Sequence, residues 1–171
     1  MRGYVQVYTG DGKCKTTAAV GLAVRAVGAG LRVFVGQFAK PRASGEIRML
    51  RERFPEVTVA LFGRGGLIRG RPAAADIRAA RRGLARLRAA LAGGTFDVVI
   101  ADEANTAVRL GLLTTTDLLA LIAARPANVE LVLTGRAAGR AVIRRADLVT
   151  EMRCVKHYFA AGVAGRAGIE W

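Results

Sequence analysis

The chain is poor in the residue types that build disulfide frameworks, zinc sites and histidine-based catalytic centres. Its 171 residues include two cysteines, Cys14 and Cys154, and a single histidine, His157. Two cysteines so far apart do not make a disulfide framework, and they are typical of a reducing compartment. One histidine cannot supply a Ser–His–Asp triad or a multi-histidine metal site. We therefore expect a structural role for His157 and no evident protein nucleophile.

Long hydrophobic runs are also missing. The longest apolar stretches are far shorter than the ~20 residues that a membrane-spanning helix needs. Residues 4–8 already alternate like a strand, and no signal-peptide-like apolar segment precedes them. The length fits one domain, over residues 1–171. We expect a soluble, cytoplasmic protein with no membrane partner.

Lysine and aromatic residues are scarce although the chain is strongly basic. The formal net charge is +14, aromatic residues make up 6% of the chain, and arginine supplies nearly all of the 27 basic residues. Such a composition, rich also in alanine and glycine, indicates a genome-wide bias. No aromatic RNA-binding motif or zinc spacing is present, so we expect no nucleic-acid partner, although nucleic-acid binding stays an alternative. The surplus of arginine favours small anionic ligands such as polyphosphates.

Strand-like and helix-like segments alternate along the chain. Apolar patterns predict strands over residues 4–8, 31–38, 57–62, 96–101 and 129–134. Between them, helical patterns cover residues 16–27, 44–54, 73–92, 114–124 and 137–145, and Thr114 and Asp117 form a capping box. Alternation of this kind predicts an α/β fold with a mostly parallel central sheet between layers of helices. Ligands bind such sheets beyond the carboxyl ends of the strands.

A glycine-rich turn carrying lysine connects the first strand to the first helix. The turn and the start of the helix comprise Gly10, Asp11, Gly12, Lys13, Cys14, Lys15, Thr16 and Thr17. A strand, such a turn and a helix together form a phosphate cradle, because the helix N-terminus offers free N–H groups and the positive end of its dipole. Lys15 would contact the phosphates and Thr16 would place its hydroxyl on Mg²⁺. The alternative is an ordinary turn whose lysines are merely solvated.

The turn does not match the strict G-x-x-x-x-G-K-[ST] pattern of a P-loop. Thr9 and Cys14 stand where that pattern has its two glycines. The pattern alone is therefore weak, and the flanking strand and helix carry the prediction of a P-loop NTPase-like three-layer sandwich.

Asp102 and Glu103 follow the apolar residues Val98, Val99, Ile100 and Ala101. A carboxylate at this end of a strand can reach a metal ion that bridges bound phosphates. The alternative is an acidic strand end that faces water, but the glycine-rich turn favours the metal-binding interpretation.

A third candidate is Thr134-Gly135-Arg136, at the end of the fifth predicted strand. Arg136 could hold a phosphate or carboxylate with its guanidinium fork. An exposed arginine in a strand-to-helix turn explains the same residues equally well, so both interpretations stay open here.

Taken together, these segments resemble the P-loop ATP:corrinoid adenosyltransferases of cobalamin biosynthesis and salvage. The resemblance covers essentially the whole chain. Its blocks are residues 7–17, 37–40 with Gly45-Glu46, Asp102-Glu103, residues 134–136, 146–152, 155–157 and 168–170.

The resemblance implies transfer of the 5′-deoxyadenosyl group of ATP to the Co(I) of a reduced corrinoid, with release of triphosphate. It implies that the turn from Gly10 to Thr17 holds the nucleotide and that Glu103 helps to bind Mg²⁺ or Mn²⁺. From their positions in the sequence we add Thr16 and Asp102 to the metal site, and we expect Lys15, Glu103 and Arg136 to assist catalysis. A flavoprotein that reduces cobalt and a homodimer are also implied. The alternative is another P-loop ATPase or kinase that cleaves the terminal phosphate of ATP.

Two positions depart from the family's pattern. Cys14 replaces a glycine, and its Cβ would strain a backbone with positive φ. Some members carry aromatic residues that shield the lower face of the corrin in the region of residues 63–71, where this chain offers only Leu67 and Ile68.

Overall fold

Parallel β-strands form the centre of the protein. The structure is a computed structural model, and it describes residues 2–39, 44–64, 68 and 70–170. Within these residues six strands pair in the order β3-β2-β4-β5-β1-β6, and all five pairings are parallel. The strands are β1 (Val5–Thr9), β2 (Val33–Gln37), β3 (Val57–Leu61), β4 (Val98–Asp102), β5 (Glu130–Thr134) and β6 (Leu148–Glu151).

Helices cover both faces of this sheet. They are α1 (Lys15–Gly28), α2 (Gly45–Arg53), α3 (Ala74–Ala92), α4 (Ala104–Arg109), α5 (Thr115–Ala123) and α6 (Arg140–Arg145), and a 3₁₀ turn follows at Tyr158–Ala161. Alternate residues of each strand point to opposite faces, so the core is divided into two clusters. Val35 and Ile100 pack with α1 and α2 on one face. Val99 and Leu133 pack with the remaining α-helices on the other.

The predicted α/β fold with three layers is confirmed, and the sheet is parallel throughout the described strands. The capping box is also confirmed, because the Thr114 side chain accepts a hydrogen bond from Asp117 N at 3.1 Å and Asp117 Oδ2 accepts one from Thr114 N at 2.8 Å. Most predicted boundaries shift by one to three residues. The fourth strand extends to Asp102, one residue beyond the predicted end, and α6 begins at Arg140 rather than at residue 137.

One short helix, one short strand and the 3₁₀ turn were not predicted. The α4 helix has six residues, too few for an apolar period to be recognised. The β6 strand has four residues, all exposed, so it lacks the buried residues that each of the other described strands contains. Within the described part of the chain, no helix combines the length and apolar character required to cross a membrane.

Candidate functional site

The glycine-rich turn after β1 adopts a conformation that exposes the N-terminus of α1. Cys14 has φ 87° and ψ 4°, in the left-handed region, and α1 begins at the next residue, Lys15. No acidic residue lies in the first turn of α1. The positive dipole end of the helix is therefore not offset by an acidic residue of its own first turn, and a helix N-terminus of this kind can bind phosphate.

The chain segment after β6 packs directly behind the turn. Gly12 N donates a hydrogen bond to Met152 O at 2.7 Å. A Cβ added at Gly10 would lie 2.4 Å from Met152 O, and one at Gly12 would lie 2.7 Å from the same atom. Both glycines are therefore required by this close backbone approach. Thr9, at the position of the missing first glycine, is buried and its hydroxyl accepts a hydrogen bond from Ala138 N at 3.1 Å.

Lys15 lies folded against the turn, and its residue is only 7% exposed. Its ammonium group donates hydrogen bonds to Gly10 O at 2.7 Å and to Gly12 O at 2.6 Å. Burial, and secondly the positive charge of Arg136, lower the pKa of Lys15 below its ordinary value. A bound anion would counter both effects, because it would compensate the buried positive charge.

Asp102 is the centre of a buried hydrogen-bond network at the carboxyl ends of three strands. The residue is 1% exposed. Its Oδ1 accepts hydrogen bonds from the hydroxyls of Thr16 at 2.9 Å and Thr134 at 2.6 Å, and its Oδ2 accepts one from Gln37 Nε2 at 2.8 Å. Because the Thr16 hydroxyl donates its proton to this carboxylate, the lone pairs of the Thr16 oxygen point away from Asp102.

Glu103 occupies an unusual backbone conformation just beyond β4. Its φ of 59° places a non-glycine residue in the left-handed region, where it precedes the first residue of α4. Glu103 N donates a hydrogen bond to the Thr134 hydroxyl at 2.9 Å. The same hydroxyl donates to Asp102, so the two acidic residues are oriented by one side chain of β5.

The loop after β5 is fixed against α4. A Cβ on Gly135, whose φ is 125°, would lie 2.7 Å from Thr106 N. Arg136 N donates to the Thr106 hydroxyl at 3.0 Å, and its guanidinium reaches Asp11 O at 3.4 Å. Arg136 is thus exposed at the edge of the glycine-rich turn.

The glycine-rich turn, Glu103 and Arg136 border a pocket of ≈ 750 Å³. Among the predicted site residues, its lining includes Gly12, Lys13, Cys14, Lys15, Thr16, Thr17, Glu103 and Arg136. Gly10 and Asp11 are not part of the lining. Asp102 borders a smaller crevice behind Thr16.

Other lining residues were not assigned to the site from the sequence. They are Val20, Gly45, Glu46, Met49, Thr106, Arg109, Gly168, Ile169 and Glu170. Thr106 and Arg109 belong to α4, the helix that follows the predicted Asp102-Glu103 pair. Their position just beyond the carboxyl end of a parallel strand was the signal that could have identified them. Gly45, Glu46 and residues 168–170 belong to blocks of the resemblance, which gave them no individual role.

The oxygen donors near the turn fit a hard divalent cation. Thr16 contributes a hydroxyl, and Asp102 and Glu103 contribute carboxylates, which are the ligand types that Mg²⁺ prefers. In the described part of the chain, no three His, Cys, Asp or Glu side chains come together as a metal site. Mg²⁺ in nucleotide enzymes is commonly bound by one or two carboxylates together with substrate phosphates, so the donor set suits a cation that arrives with a nucleotide.

His157 lies outside the pocket lining. It precedes the 3₁₀ turn, and its Nδ1 accepts a hydrogen bond from Phe159 N at 3.0 Å, which is a structural role. Of the two apolar residues considered for the corrin side, Ile68 packs against the larger core cluster. Leu67 lies outside the described residues, as does Lys40 of the resemblance.

Comparison with known proteins identifies the group to which this site belongs. Residues 1–171 match the family described as ATP:corrinoid adenosyltransferase BtuR/CobO/CobP. The chain belongs to the ATP:corrinoid adenosyltransferase family. It is therefore a transferase enzyme by family, as the resemblance predicted.

Individual relatives agree with this assignment. The corrinoid adenosyltransferase of Pseudomonas aeruginosa is 39% identical over 171 residues, an alignment that covers 99% of this chain and 84% of the relative. Corrinoid adenosyltransferase CobA of Salmonella typhimurium is 37% identical, and the corrinoid adenosyltransferase of Escherichia coli K12 is 36% identical. Each of these alignments covers 99% of this chain and 86% of the relative.

The left-handed conformation of Cys14 predicts how this position tolerates substitution. Replacing Cys14 with glycine should leave MgATP binding intact, because glycine adopts φ 87° without a Cβ penalty. Relief of this strain is opposed by the larger entropy of unfolded glycine, so the free energy of unfolding should change by less than about 1 kcal/mol. Calorimetric MgATP titrations and thermal unfolding of Cys14→Gly measure both quantities.

A matched Cys14→Ala variant separates the thiol from the Cβ, and it should behave like wild type. Loss of nucleotide binding in both variants would show that the thiol itself contributes to the site.

Proposed function

We propose that the enzyme transfers the 5′-deoxyadenosyl group of ATP to the Co(I) centre of a reduced corrinoid and releases triphosphate. The observation that carries this proposal is the pocket at the α1 N-terminus, which Lys15 and Thr16 line and where the Thr16 hydroxyl bonds the Asp102 carboxylate. Its volume of ≈ 750 Å³ is within the usual range for small-molecule sites. Membership of the family supplies the identity of the two substrates.

In the proposed reaction the nucleophile arrives with the substrate. Co(I) donates an electron pair to C5′ of the ribose, a Co–C5′ bond forms, and the C5′–O5′ bond breaks. The triphosphate leaves with the electron pair of that bond. The protein then needs no serine, cysteine or general base of its own, and its contribution is to position the substrates and stabilise the leaving group.

The residues around the turn are suited to stabilising this leaving group. The N–H groups at the start of α1 and the ammonium of Lys15 supply fixed positive charge where negative charge develops. On binding, a phosphate oxygen would replace the Gly10 and Gly12 carbonyls as partners of Lys15. Arg136 lies at the edge of the turn and would contact the outer phosphates through its guanidinium fork.

Thr16, Asp102 and Glu103 would hold the nucleotide-bound Mg²⁺, directly or through water. The cation supplies charge neutralisation on the phosphates when it is bound. The residues themselves are oriented beforehand, because Thr134 bonds both the Asp102 carboxylate and the Glu103 backbone.

The metal role of Glu103 predicts a specific defect. Glu103→Gln preserves size and backbone conformation but removes the charge, so it should raise the Mg²⁺ concentration required for half-maximal activity several-fold and lower the maximal rate. Titration of activity with Mg²⁺ at fixed ATP measures this. Superimposable curves for Glu103→Gln and wild type would show that Glu103 is only a surface acid.

A P-loop ATPase or kinase is the competing function. Such an enzyme needs a residue that orients water or an acceptor hydroxyl, and the carboxylates of Glu46, Glu103 and Glu170 in the pocket lining are the candidates. The two functions differ in which bond of ATP is cleaved.

Phosphorus NMR of the products tests the proposal against this alternative. Incubation with MgATP and chemically reduced cobalamin should give the resonances of free triphosphate and none of ADP. Formation of ADP and phosphate would reject the proposed function in favour of the alternative.

The supply of Co(I) by a flavoprotein and the formation of a homodimer belong to the same proposal. Sedimentation of the purified protein tests the dimer. Replacement of the chemical reductant by a reduced flavoprotein tests the electron donor.

A further inference from the structure

The C-terminal strap, defined as residues 166–170, forms part of the wall of the nucleotide pocket. Gly168, Ile169 and Glu170 line the pocket together with the glycine-rich turn. The strap follows β6 and the 3₁₀ turn, so it reaches the pocket from the far end of the chain. No pattern in the sequence assigned it a function.

Glu170 is fixed in place by hydrogen bonds from two neighbours. Its carboxylate accepts a hydrogen bond from the Tyr158 hydroxyl, one from Arg166 N at 2.7 Å, and two long ones from the Arg166 guanidinium at 3.4 Å. The Arg166 guanidinium also lies 4.8 Å from the centre of the Tyr158 ring. These hydrogen bonds lower the pKa of Glu170 to about 2, and the one from Tyr158 makes the largest contribution to this shift. Glu170 is therefore ionised at neutral pH.

The strap holds a lysine of the phosphate-binding turn. Lys13 Nζ donates a hydrogen bond to Ile169 O at 2.8 Å and lies 3.8 Å from Glu170 Oε1. An ion pair of this kind near the surface contributes little to folding stability. Its larger consequence is geometric, because a lysine has several rotatable bonds and otherwise has to be ordered when a ligand binds.

We propose that Glu170 is a positioning residue for the nucleotide, acting through Lys13. The inference rests on the proposed function only in taking ATP as the nucleotide. The strap holds the Lys13 ammonium at the pocket wall before ATP arrives, so that binding does not bear the cost of ordering this side chain. The Ile169 carbonyl oxygen accepts a hydrogen bond from one of the three N–H groups of the Lys13 ammonium, and the other two can point to the phosphates.

The negative charge of Glu170 does not oppose phosphate binding in this arrangement. Arg166 lies next to the carboxylate and balances its charge. Lys13 then remains as a positive charge at the pocket wall. If the Glu170 carboxylate instead competed with the triphosphate for Lys13, removal of its charge would tighten ATP binding.

A double-mutant cycle on MgATP binding tests the role of Glu170. Dissociation constants are measured by calorimetry for wild type, Glu170→Gln, Lys13→Ala and the double variant. Glu170→Gln should weaken binding about 3- to 10-fold, and should weaken it much less when Lys13 is already alanine, because interacting residues are not additive. The rate at saturating ATP should stay close to that of wild type in Glu170→Gln. The exposed Glu56, which precedes β3, provides a matched control as Glu56→Gln and should bind like wild type.

Three results would overturn the inference. Unchanged or tighter binding in Glu170→Gln would exclude positioning, and equal losses with and without Lys13 would show that Glu170 acts only on the structure of the strap. Thermal unfolding of each variant reveals a general loss of folding. If the wild type fails to bind MgATP, the proposed function fails and this role of Glu170 fails with it. Binding by wild type without coupling between the two residues rejects the inference alone.

Discussion

Replacing Lys15 with alanine should lower turnover by on the order of 100-fold or more, the loss expected when a donor to a developing negative charge is removed. The Lys15 ammonium is buried and lies between the carbonyls of Gly10 and Gly12, at the start of α1. For a triphosphate bound at this end of the helix, the Lys15 ammonium would be an adjacent, fixed positive charge. Binding of MgATP should weaken as well, because a hydrogen bond to a charged group contributes about 1.5–3 kcal/mol.

The measurement is steady-state kinetics with reduced corrinoid, combined with MgATP calorimetry and thermal unfolding. The exposed Lys156, which is not part of the pocket lining, provides the control as Lys156→Ala and should resemble wild type. A folded Lys15→Ala variant with normal ATP affinity and turnover would contradict the assignment of the turn as a phosphate cradle.

Replacing Asp102 with asparagine should abolish most of the activity while leaving the protein folded. The carboxylate is buried and accepts hydrogen bonds from Thr16, Thr134 and Gln37. Asparagine keeps one oxygen for the two threonine hydroxyls, and its amide group would face Gln37. Gln37 Oε1 is buried and has no hydrogen-bond partner among the described residues, so a rotation of the Gln37 amide would supply the missing acceptor.

The expected stability loss is therefore small, below the ~1–3 kcal/mol that an unsatisfied buried group costs. Activity should nevertheless fall on the order of 100-fold, because the charge that faces the Thr16 hydroxyl and the proposed cation site is gone. Thermal unfolding and activity at several Mg²⁺ concentrations measure the two effects. Near-normal activity would show that Asp102 only supports the fold, whereas unfolding of Asp102→Asn would show that Gln37 does not rotate.

The sequence predicted the fold well because its elements are locally encoded. The five predicted strands and the longer helices each have an apolar pattern that is independent of distant contacts. The exposed β6 strand and the six-residue α4 helix lack such a pattern. The strand forms by pairing with β1, where Met152 N also bonds Thr9 O, and α4 is held by its buried residues Ala104, Asn105 and Ala107.

The candidate site could be predicted only in part, for a related reason. Residues at strand ends next to the glycine-rich turn were found, since parallel strands bring their carboxyl ends to one edge. Gly10 and Gly12 were expected near phosphate, and the structure shows that the Met152 backbone behind them requires their lack of a side chain. The contact between Lys13 and the C-terminal strap joins residues 156 positions apart, and no local pattern reports it.

The most direct test of the central claim is the dependence of ATP consumption on the corrinoid under strict anaerobiosis. Without a corrinoid, turnover of MgATP should be very slow. With Co(I) cobalamin, the enzyme should form a light-sensitive cobalt–carbon product and free triphosphate in equal amounts, followed by absorbance before and after illumination and by quantification of the released triphosphate. Rapid release of phosphate that is independent of the corrinoid, without a light-sensitive product, would contradict the account.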